Sequence, residues 1–187
     1  PIARGEFRVA IIGSGLLGIA AAVYLQKAGF DFVMIEMTGE PGGTWNDNRY
    51  PGCGVDTTSH FYTYSFAPNP DWGHYFATQT EIADYIKGCV KRFGLERKMR
   101  LNTEVRAARY DDGTKQWALD MRDVSGREER LHVNAVVSAV GQLNVPAYPN
   151  IAGLENFGGV AVHTARWPGD LDYRNKRVAL IGAGSSS

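Results

Sequence analysis

Three glycines near the amino terminus have the spacing that a phosphate-binding loop requires. The segment "GSGLLG" places Gly13, Gly15 and Gly18 in the pattern G-x-G-x-x-G. In such a loop the first glycine permits a tight turn, the second lets the backbone approach a pyrophosphate, and the third lets a helix pack closely on the preceding strand. With Ser14 between the first two glycines, free N–H groups and the positive end of a helix dipole would face the phosphates.

An acidic residue follows at the distance where the ribose of a dinucleotide binds. Glu36 lies roughly twenty residues beyond the loop, and a carboxylate there accepts hydrogen bonds from ribose hydroxyls. An acid at this place favours FAD or NAD over a cofactor with a 2′-phosphate. The alternative interpretation is an ordinary turn of a parallel sheet, because glycine-rich turns are common.

The elements around the loop are those that a dinucleotide site needs. "RVAII" predicts a strand before the loop, "IAAAVYLQKAG" predicts a helix that ends at Gly29, and "DFVMIE" predicts a second strand. A strand, a loop, a helix and a strand in this order predict an α/β fold with a Rossmann-like domain.

A long loop rich in Gly, Pro and aromatic residues follows, from Met37 to Phe66, and loops of this length are usually functional or disordered. Tyr62, Tyr64 and Phe66 alternate along it. They predict either ordering against a flat apolar ligand or a packed edge strand, and the residues alone do not decide between the two.

The middle of the chain predicts one amphipathic helix and a small antiparallel sheet. Thr78 and Glu81 form a capping box before a helix whose apolar face is Ile82, Tyr85, Ile86, Cys89, Val90 and Phe93. Two alternating segments with the turn signals "DDG" and "SG" predict the sheet. A linker rich in Pro and Gly follows from Gln142.

Composition excludes several functional classes. The chain has 187 residues with twenty basic and twenty acidic side chains, so its net charge indicates neither nucleic acid nor an anionic membrane as a partner. The apolar stretch Val9–Leu25 is broken by glycines and is not a membrane span. Two cysteines, Cys53 and Cys89, are too few for a disulfide framework, exclude a catalytic dithiol and predict a cytoplasmic protein. No metal site is predicted.

The long loop resembles a known family. "GGTWNDNRYPGCGVDTTSHFYTYSF" is similar to the flavin-proximal segment of the Baeyer–Villiger monooxygenases, which use FAD, NADPH and dioxygen to convert ketones into esters or lactones through a peroxyflavin. The resemblance implies that Gly43, Thr44 and Trp45 lie against the flavin, with Asp56 and Tyr62 in the same site. It also implies that Asp56 holds an active-site arginine from much later in the chain.

The linker matches the fingerprint of the same family. "FGGVAVHTARWP" fits F-x-G-x-x-x-H-x-x-x-W-P with Phe157, Gly159, His163, Trp167 and Pro168. The resemblance gives His163 and Trp167 a part in coupling the nicotinamide domain to catalysis. From the residues alone, His163 is a structural histidine and Trp167 a hinge packing residue.

A second glycine pattern begins close to the end of the sequence. "RVALIGAGSSS" places Gly182 and Gly184 as the first two glycines of a second dinucleotide fold, with Ser187 as the third small residue. The resemblance implies NADPH there, with Ser185 and Ser186 near its phosphates. It also implies an adenine-side contact to FAD from Val105, which is otherwise a buried strand residue, and an exit from the FAD domain at Gly141.

These observations predict three parts: an FAD-binding domain at 1–145 with a small antiparallel insertion, a linker at 146–175, and the start of an NADPH-binding domain at 176–187. The function implied is Baeyer–Villiger oxygenation of a small-molecule ketone, with this chain as an amino-terminal fragment that is inactive alone. An N- or S-hydroxylating flavin monooxygenase and a truncated, non-catalytic FAD-binding module are the alternatives. The sequence leaves the ketone and the oligomeric state open.

Overall fold

The computed structural model describes residues 7–143 and 145–186. The chain divides into two compact units. The first contains the described residues up to Gly43 together with Asp84–Gly141, and the second contains Thr44–Ala83 together with the described residues from Gln142 onward. The helices and strands are β1 (Arg8–Ile12), α1 (Leu16–Lys27), β2 (Asp31–Ile35), α2 (Thr44–Asp47), α3 (Gln79–Arg92), β3 (Met99–Arg100), β4 (Thr103–Asp111), β5 (Gln116–Asp123), β6 (Glu128–Val133) and β7 (Ala135–Ser138).

A parallel sheet forms the centre of the first unit. Its strand order is β3-β2-β1-β7, and β1 pairs in parallel with both β2 and β7. The strands β1 and β2 are short, apolar and largely buried, as is typical of a parallel sheet. Helix α1 is the crossover between them. The predicted strand, loop, helix and strand are therefore confirmed, and the domain is an α/β domain of the Rossmann-like type.

An antiparallel sheet of three strands, in the order β4-β5-β6, belongs to the same unit. Both predicted turns are present, and an aspartate stabilises each of them. The Asp111 carboxylate accepts hydrogen bonds from the N–H groups of Gly113 and Thr114, and the Asp123 carboxylate accepts from those of Ser125 and Arg127. The small sheet predicted from the alternating segments is thus confirmed.

The two sheets share one apolar core. Residues of β1 and β2 pack against residues of β5 and β6 in a buried cluster of Ala10, Val33, Ile35, Leu119, Met121, Leu131 and Val133. Burial of this many apolar side chains holds the carboxyl ends of the parallel strands in fixed positions. The loops that follow those strands therefore have a rigid support.

Helix α3 begins with the predicted capping box. The Thr78 N–H donates to Glu81 Oε2 at 2.9 Å, and the Glu81 N–H donates to Thr78 Oγ1 at 3.4 Å. The predicted apolar face is also confirmed, because Ile82, Ile86, Cys89 and Val90 are buried, with Tyr85 and Phe93 partly buried.

The second unit has little regular structure. Its described residues contain α2, the first residues of α3 and three short 3₁₀ turns, at Ser59–Phe61, Leu154–Asn156 and Thr164–Arg166. The edge strand considered for the alternating aromatics is not formed; Tyr64 makes one isolated bridge to Ala67 and stacks on Phe66 with ring centroids 4.7 Å apart.

The segment predicted to begin a second dinucleotide-binding fold has no regular secondary structure among its described residues. Residues 178–186 form no strand or helix, and Val178, Leu180 and Ile181 have 63%, 62% and 62% of their surface exposed. A parallel strand gains its hydrogen bonds and its buried surface only from neighbouring strands, and no neighbour is described beside this segment. The start of a second dinucleotide-binding fold at 176–187 therefore stays a prediction.

No helix among residues 7–143 and 145–186 has the length and apolar character needed to cross a membrane.

The hydrogen bonds of the capping box predict how the free energy of unfolding depends on pH. Hydrogen bonds from the Thr78 N–H, with His74 and Gly73 as further donors, lower the pKa of Glu81 from 4.5 to about 2. A carboxyl whose pKa is lower in the folded state stabilises the protein above its unfolded pKa, and this contribution disappears as the pH falls from about 4.5 towards 2.

We expect Glu81→Gln to lose this acid-dependent part of the stability. The free energy of unfolding, measured by urea denaturation between about pH 2 and pH 6, would fall less steeply below pH 4.5 in the variant than in the wild type. Asp84→Asn on the exposed side of the same helix is the matched control. Identical pH profiles for wild type and Glu81→Gln would contradict this account of the helix terminus.

Candidate functional site

The turn after β1 requires a glycine. Gly13 has φ of +100°, a backbone conformation that residues with a β-carbon rarely adopt. A β-carbon at Gly13 would also lie 2.5 Å from the carbonyl oxygen of Ala139, just beyond β7. The Gly13 N–H donates to Ile35 O at 2.8 Å, so the turn is bound to the end of β2 as well.

Helix α1 packs directly on this turn because Gly18 has no side chain. A β-carbon at Gly18 would lie 2.1 Å from the Gly13 carbonyl oxygen, which is far inside van der Waals contact. The third glycine of the pattern therefore allows the close approach between helix and loop that the sequence indicates.

Gly15 differs from its two neighbours in the pattern. It has φ of −73°, and the nearest atom to a β-carbon built there is the α-carbon of Gly43, at an ordinary distance of 3.7 Å. Packing within the described chain thus does not demand glycine at this place. Helix α1 begins at the next residue, Leu16, and its first turn contains no acidic residue. These features fit a bound pyrophosphate.

A second glycine pair crosses the loop. The Gly42 N–H donates to the Ser14 carbonyl at 3.0 Å, and Gly43 adopts φ of +53°. A β-carbon at Gly43 would lie 3.1 Å from the α-carbon of Gly15. The start of the flavin-like segment and the phosphate-binding loop are therefore in contact within the first unit.

The Glu36 carboxylate lies at the end of β2, only 7% exposed, and receives four hydrogen bonds. Oε2 accepts from the Ser14 N–H at 2.8 Å and from the Ser14 hydroxyl at 2.9 Å. Oε1 accepts from the N–H and the hydroxyl of Thr38, both at 2.9 Å. Burial of a carboxylate is costly unless hydrogen bonds of this kind replace those to water.

Thr38 is a residue of this site that the sequence reasoning missed. Its only signal in the sequence is a hydroxyl two residues after the acid that ends a strand, a spacing at which a side chain and a backbone N–H commonly bind one carboxylate.

In the second unit, Trp45 and Tyr62 are brought together. Trp45 Nε1 donates to the Tyr62 hydroxyl at 2.9 Å, and the two rings meet edge to face with centroids 5.5 Å apart. Burial raises the pKa of Tyr62, the hydrogen bond from Trp45 lowers it, and the nearby charge of Asp56 raises it further. The side-chain amide of Gln79 donates to the Trp45 carbonyl, which links this pair to the start of α3.

Asp56 is exposed, and its carboxylate contacts Ser185. The Ser185 hydroxyl donates to Asp56 Oδ2 at 3.3 Å, and the Tyr50 hydroxyl donates to Ser186 Oγ at 3.1 Å. The two serines predicted to lie near NADPH phosphates therefore contact the flavin-like segment. Burial is the main cause of a raised pKa at Tyr50.

The fingerprint segment forms a short turn that touches α2. His163 precedes the 3₁₀ turn Thr164–Arg166, and its Nδ1 accepts from the Ala165 N–H at 3.1 Å. This turn contacts α2, the helix that contains Thr44 and Trp45. The His163 ring meets Tyr148 edge to face at 5.4 Å, and Trp167 meets Tyr173 at 5.8 Å.

Two other residues of the fingerprint, Phe157 and Gly159, pack closely against each other. A β-carbon at Gly159 would lie 2.7 Å from the ring of Phe157, so glycine leaves room for that aromatic side chain. The Phe157 ring is itself largely exposed.

The remaining predicted residues are spread over the chain. Val105 lies on β4, partly buried against the core between the sheets. Gly182 has φ of +129°, Gly184 is exposed, and Ser187 lies outside the described residues. Cys53 and Cys89 are free and buried, and burial raises the pKa of both thiols, which disfavours a reactive thiolate.

The fold and the glycine loop place the first unit in the class of Rossmann-like α/β domains. A family model described as an NAD(P)-binding Rossmann-like domain matches residues 11–78. A Baeyer–Villiger monooxygenase of Pseudomonas aeruginosa is 43% identical over 188 residues, covering 100% of this chain and 35% of that protein.

Solved structures give the same result. The crystal structure of OTEMO in complex with FAD and NADP has a TM-score of 0.87 and 32% identity, covering 98% of this chain and 36% of that one. A cyclohexanone monooxygenase with bound ε-caprolactone has a TM-score of 0.84 and 37% identity, covering 96% of this chain and 35% of that one. Over nearly its whole length the chain is similar to Baeyer–Villiger monooxygenases, and it spans about a third of the length of these relatives.

The glycine geometry makes a prediction about stability. We expect Gly18→Ala to lower the free energy of unfolding by about 2 kcal/mol or more, because its β-carbon would collide with a backbone oxygen that cannot move freely.

Gly88→Ala is the matched control, since Gly88 is also inside a helix but its β-carbon would meet no atom within 4 Å. Alanine is the better helix former, so this variant should be more stable than wild type by about 1 kcal/mol. Thermal and urea denaturation measure both changes, and a loss at Gly18 no larger than about 0.5 kcal/mol would contradict the packing argument.

Proposed function

We propose that the chain is the FAD-binding, amino-terminal part of a Baeyer–Villiger monooxygenase that uses NADPH and dioxygen to insert oxygen next to a ketone carbonyl. The product is an ester or a lactone. The observation that carries the proposal is the contact, within one unit, between the 3₁₀ turn after His163 and the helix that begins with Thr44 and Trp45. Two segments that resemble this family at separate places in the sequence thereby form one site.

The first unit binds the adenosine and pyrophosphate part of FAD. The backbone of Gly13, Ser14 and Gly15 and the first turn of α1 bind the phosphates, for which Gly15 leaves the necessary room. Gly18 holds the helix against the loop. The Glu36 carboxylate accepts hydrogen bonds from the ribose hydroxyls, and Val105 lies on the adenine side.

FAD supplies the redox chemistry and the activation of dioxygen when it is bound. Gly43, Thr44, Trp45 and Tyr62 bind its ring system, with the Trp45 to Tyr62 hydrogen bond fixing the orientation of both aromatic side chains. The Asp56 carboxylate, which is exposed, binds and orients an arginine of the complete protein near the substrate carbonyl.

The last residues begin the NADPH-binding part. We assign residues 1–145 to the FAD domain, 146–175 to the linker and 176–187 to the start of the second dinucleotide fold. Gly182 and Gly184 serve the same purpose there as the glycines of the first loop, and Ser185 and Ser186 bind phosphate oxygens. Hinge residues often control how two domains close on a substrate, and we give His163 and Trp167 this role.

The proposed substrates are a small-molecule ketone and dioxygen, and the proposed function involves neither nucleic acid nor a membrane. The cytoplasmic location stays a prediction that rests on the two cysteines.

A direct assay tests the proposal. Purified protein is incubated with NADPH, dioxygen and either cyclohexanone or a thioether, and the products are separated by gas chromatography. We expect NADPH oxidation that depends on the ketone, with lactone as the product. Oxidation of the thioether alone would identify an N- or S-hydroxylating enzyme, and FAD binding without any turnover by the complete protein would identify a non-catalytic module.

A first prediction concerns Gly15. Gly15→Ala should fold with nearly wild-type stability, because its β-carbon has room, yet bind FAD at least about tenfold more weakly, because that β-carbon occupies the approach of the pyrophosphate. Fluorescence titration measures the affinity, with Gly88→Ala as the control that should bind FAD normally. Unchanged FAD affinity in Gly15→Ala would contradict the proposal that Gly15 leaves room for the pyrophosphate.

A second prediction concerns Asp56. Asp56→Ala should keep FAD bound and slow ester formation by roughly a hundredfold, since the arginine loses the carboxylate that orients it. Asp71→Ala, which removes another exposed carboxylate of the same unit, is the control. Turnover of Asp56→Ala equal to that of the wild type would refute the role of Asp56.

A further inference from the structure

The Glu36 carboxylate has no acceptor position left for a ribose in the structure described above. A carboxylate has about four lone-pair positions. The N–H groups of Ser14 and Thr38 take one position on each oxygen, and the hydroxyls of the same two residues take another on each. A ribose hydroxyl that binds to Glu36 must therefore displace a donor that is already present.

The backbone donors cannot yield, because this segment is fixed on both sides. The Glu36 N–H donates to Arg100 O at 2.9 Å, and the Glu36 carbonyl accepts from the Thr103 N–H at 2.9 Å. The Thr38 carbonyl accepts from the Asn102 N–H, also at 2.9 Å. Only the side-chain hydroxyls are free to rotate without a movement of the chain.

The two hydroxyls differ in where else they can donate. The Thr38 hydroxyl lies 2.9 Å from Glu36 Oε1 and equally 2.9 Å from the Glu40 carbonyl oxygen. It carries one proton, so it donates to one of these acceptors at a time. The Ser14 side chain is completely buried, with Glu36 Oε2 as the acceptor that its hydroxyl meets.

The second acceptor lies in the same short segment as Thr38. The Glu40 carbonyl can accept the Thr38 proton at 2.9 Å, and the Glu40 side chain forms an ion pair with Lys87 on α3.

We propose that the Thr38 hydroxyl is an exchangeable partner of Glu36 and a positioning residue for the ribose. In the empty site its proton satisfies Glu36 Oε1. When the ribose hydroxyl of FAD arrives, the Thr38 proton turns to the Glu40 carbonyl and Oε1 accepts from the ribose. The buried carboxylate thus keeps its full set of hydrogen bonds in both states. This inference rests on the proposed FAD site.

If the Thr38 hydroxyl exchanges in this way, its removal should change the affinity for FAD as well as the stability of the protein. Thr38→Val keeps the side-chain shape and the backbone hydrogen bond but removes the hydroxyl. The FAD-free protein then loses a hydrogen bond to a charged group, whereas the FAD-bound protein loses only a weaker one to a neutral carbonyl. Because the empty state is destabilised more than the bound state, FAD should bind more tightly.

The test uses the protein with FAD removed, and compares wild type, Thr38→Val and Thr38→Ser. We expect Thr38→Val to melt at a lower temperature without FAD and to bind FAD about fivefold more tightly by fluorescence titration. Thr38→Ser keeps the hydroxyl and should behave as the wild type in both measurements. Thr38→Ala, which also lacks the hydroxyl, should change both quantities in the same directions as Thr38→Val.

Two other outcomes are informative and distinct. If Thr38→Val and Thr38→Ala bind FAD as well as the wild type or more weakly, the exchange is wrong while the FAD site stands. If the wild type itself binds no FAD, the proposed function fails first, and the exchange fails with it.

Discussion

The contact between the backbone of the first loop and helix α1 is the constraint on which the rest of the structure depends. No side chain fits between the Gly13 carbonyl and the α-carbon of Gly18, so the helix starts immediately above the loop. The same turn is packed against Ala139 and hydrogen-bonded to Ile35, which binds it to β7 and β2. The close packing of loop and helix thereby fixes the carboxyl ends of β1, β2 and β7 and the first turn of α1 relative to one another.

The second feature of the site is a buried charge that the protein itself satisfies. Glu36 follows β2 directly, and the four hydrogen bonds to its carboxylate come from Ser14 and Thr38. The backbone of these two residues is held by the first loop and by the segment before β4. Desolvation of a carboxylate is costly, so a site that loses these partners would be unstable when empty. The N–H groups of Ser14 and Thr38 hold the carboxylate in place, and a hydroxyl that can rotate makes room for a ribose. The free protein can therefore be stable and still bind the ribose.

Local patterns predicted the parts of the fold whose causes are local. The capping box of Thr78 and Glu81 and the aspartate-stabilised turns at Asp111 and Asp123 depend on neighbours in the sequence, and all were found. The second glycine pattern, with Gly182 and Gly184, stays a prediction, because a parallel strand in front of such a loop depends on hydrogen bonds and buried surface from neighbouring strands. Thr38 escaped the sequence reasoning because its importance arises from the position of one proton between two acceptors, a three-dimensional property.

The most direct test of the central claim, that this chain binds the adenosine and pyrophosphate half of FAD, is a comparison of FAD with FMN in the same binding titration. FMN has the same ring system and one phosphate but lacks the whole adenosine and the second phosphate. We expect FAD to bind at least about a hundredfold more tightly than FMN, because Glu36 binds the adenosine ribose and the glycine loop binds two phosphates, of which FMN has only one. Equal affinity for the two flavins would contradict it.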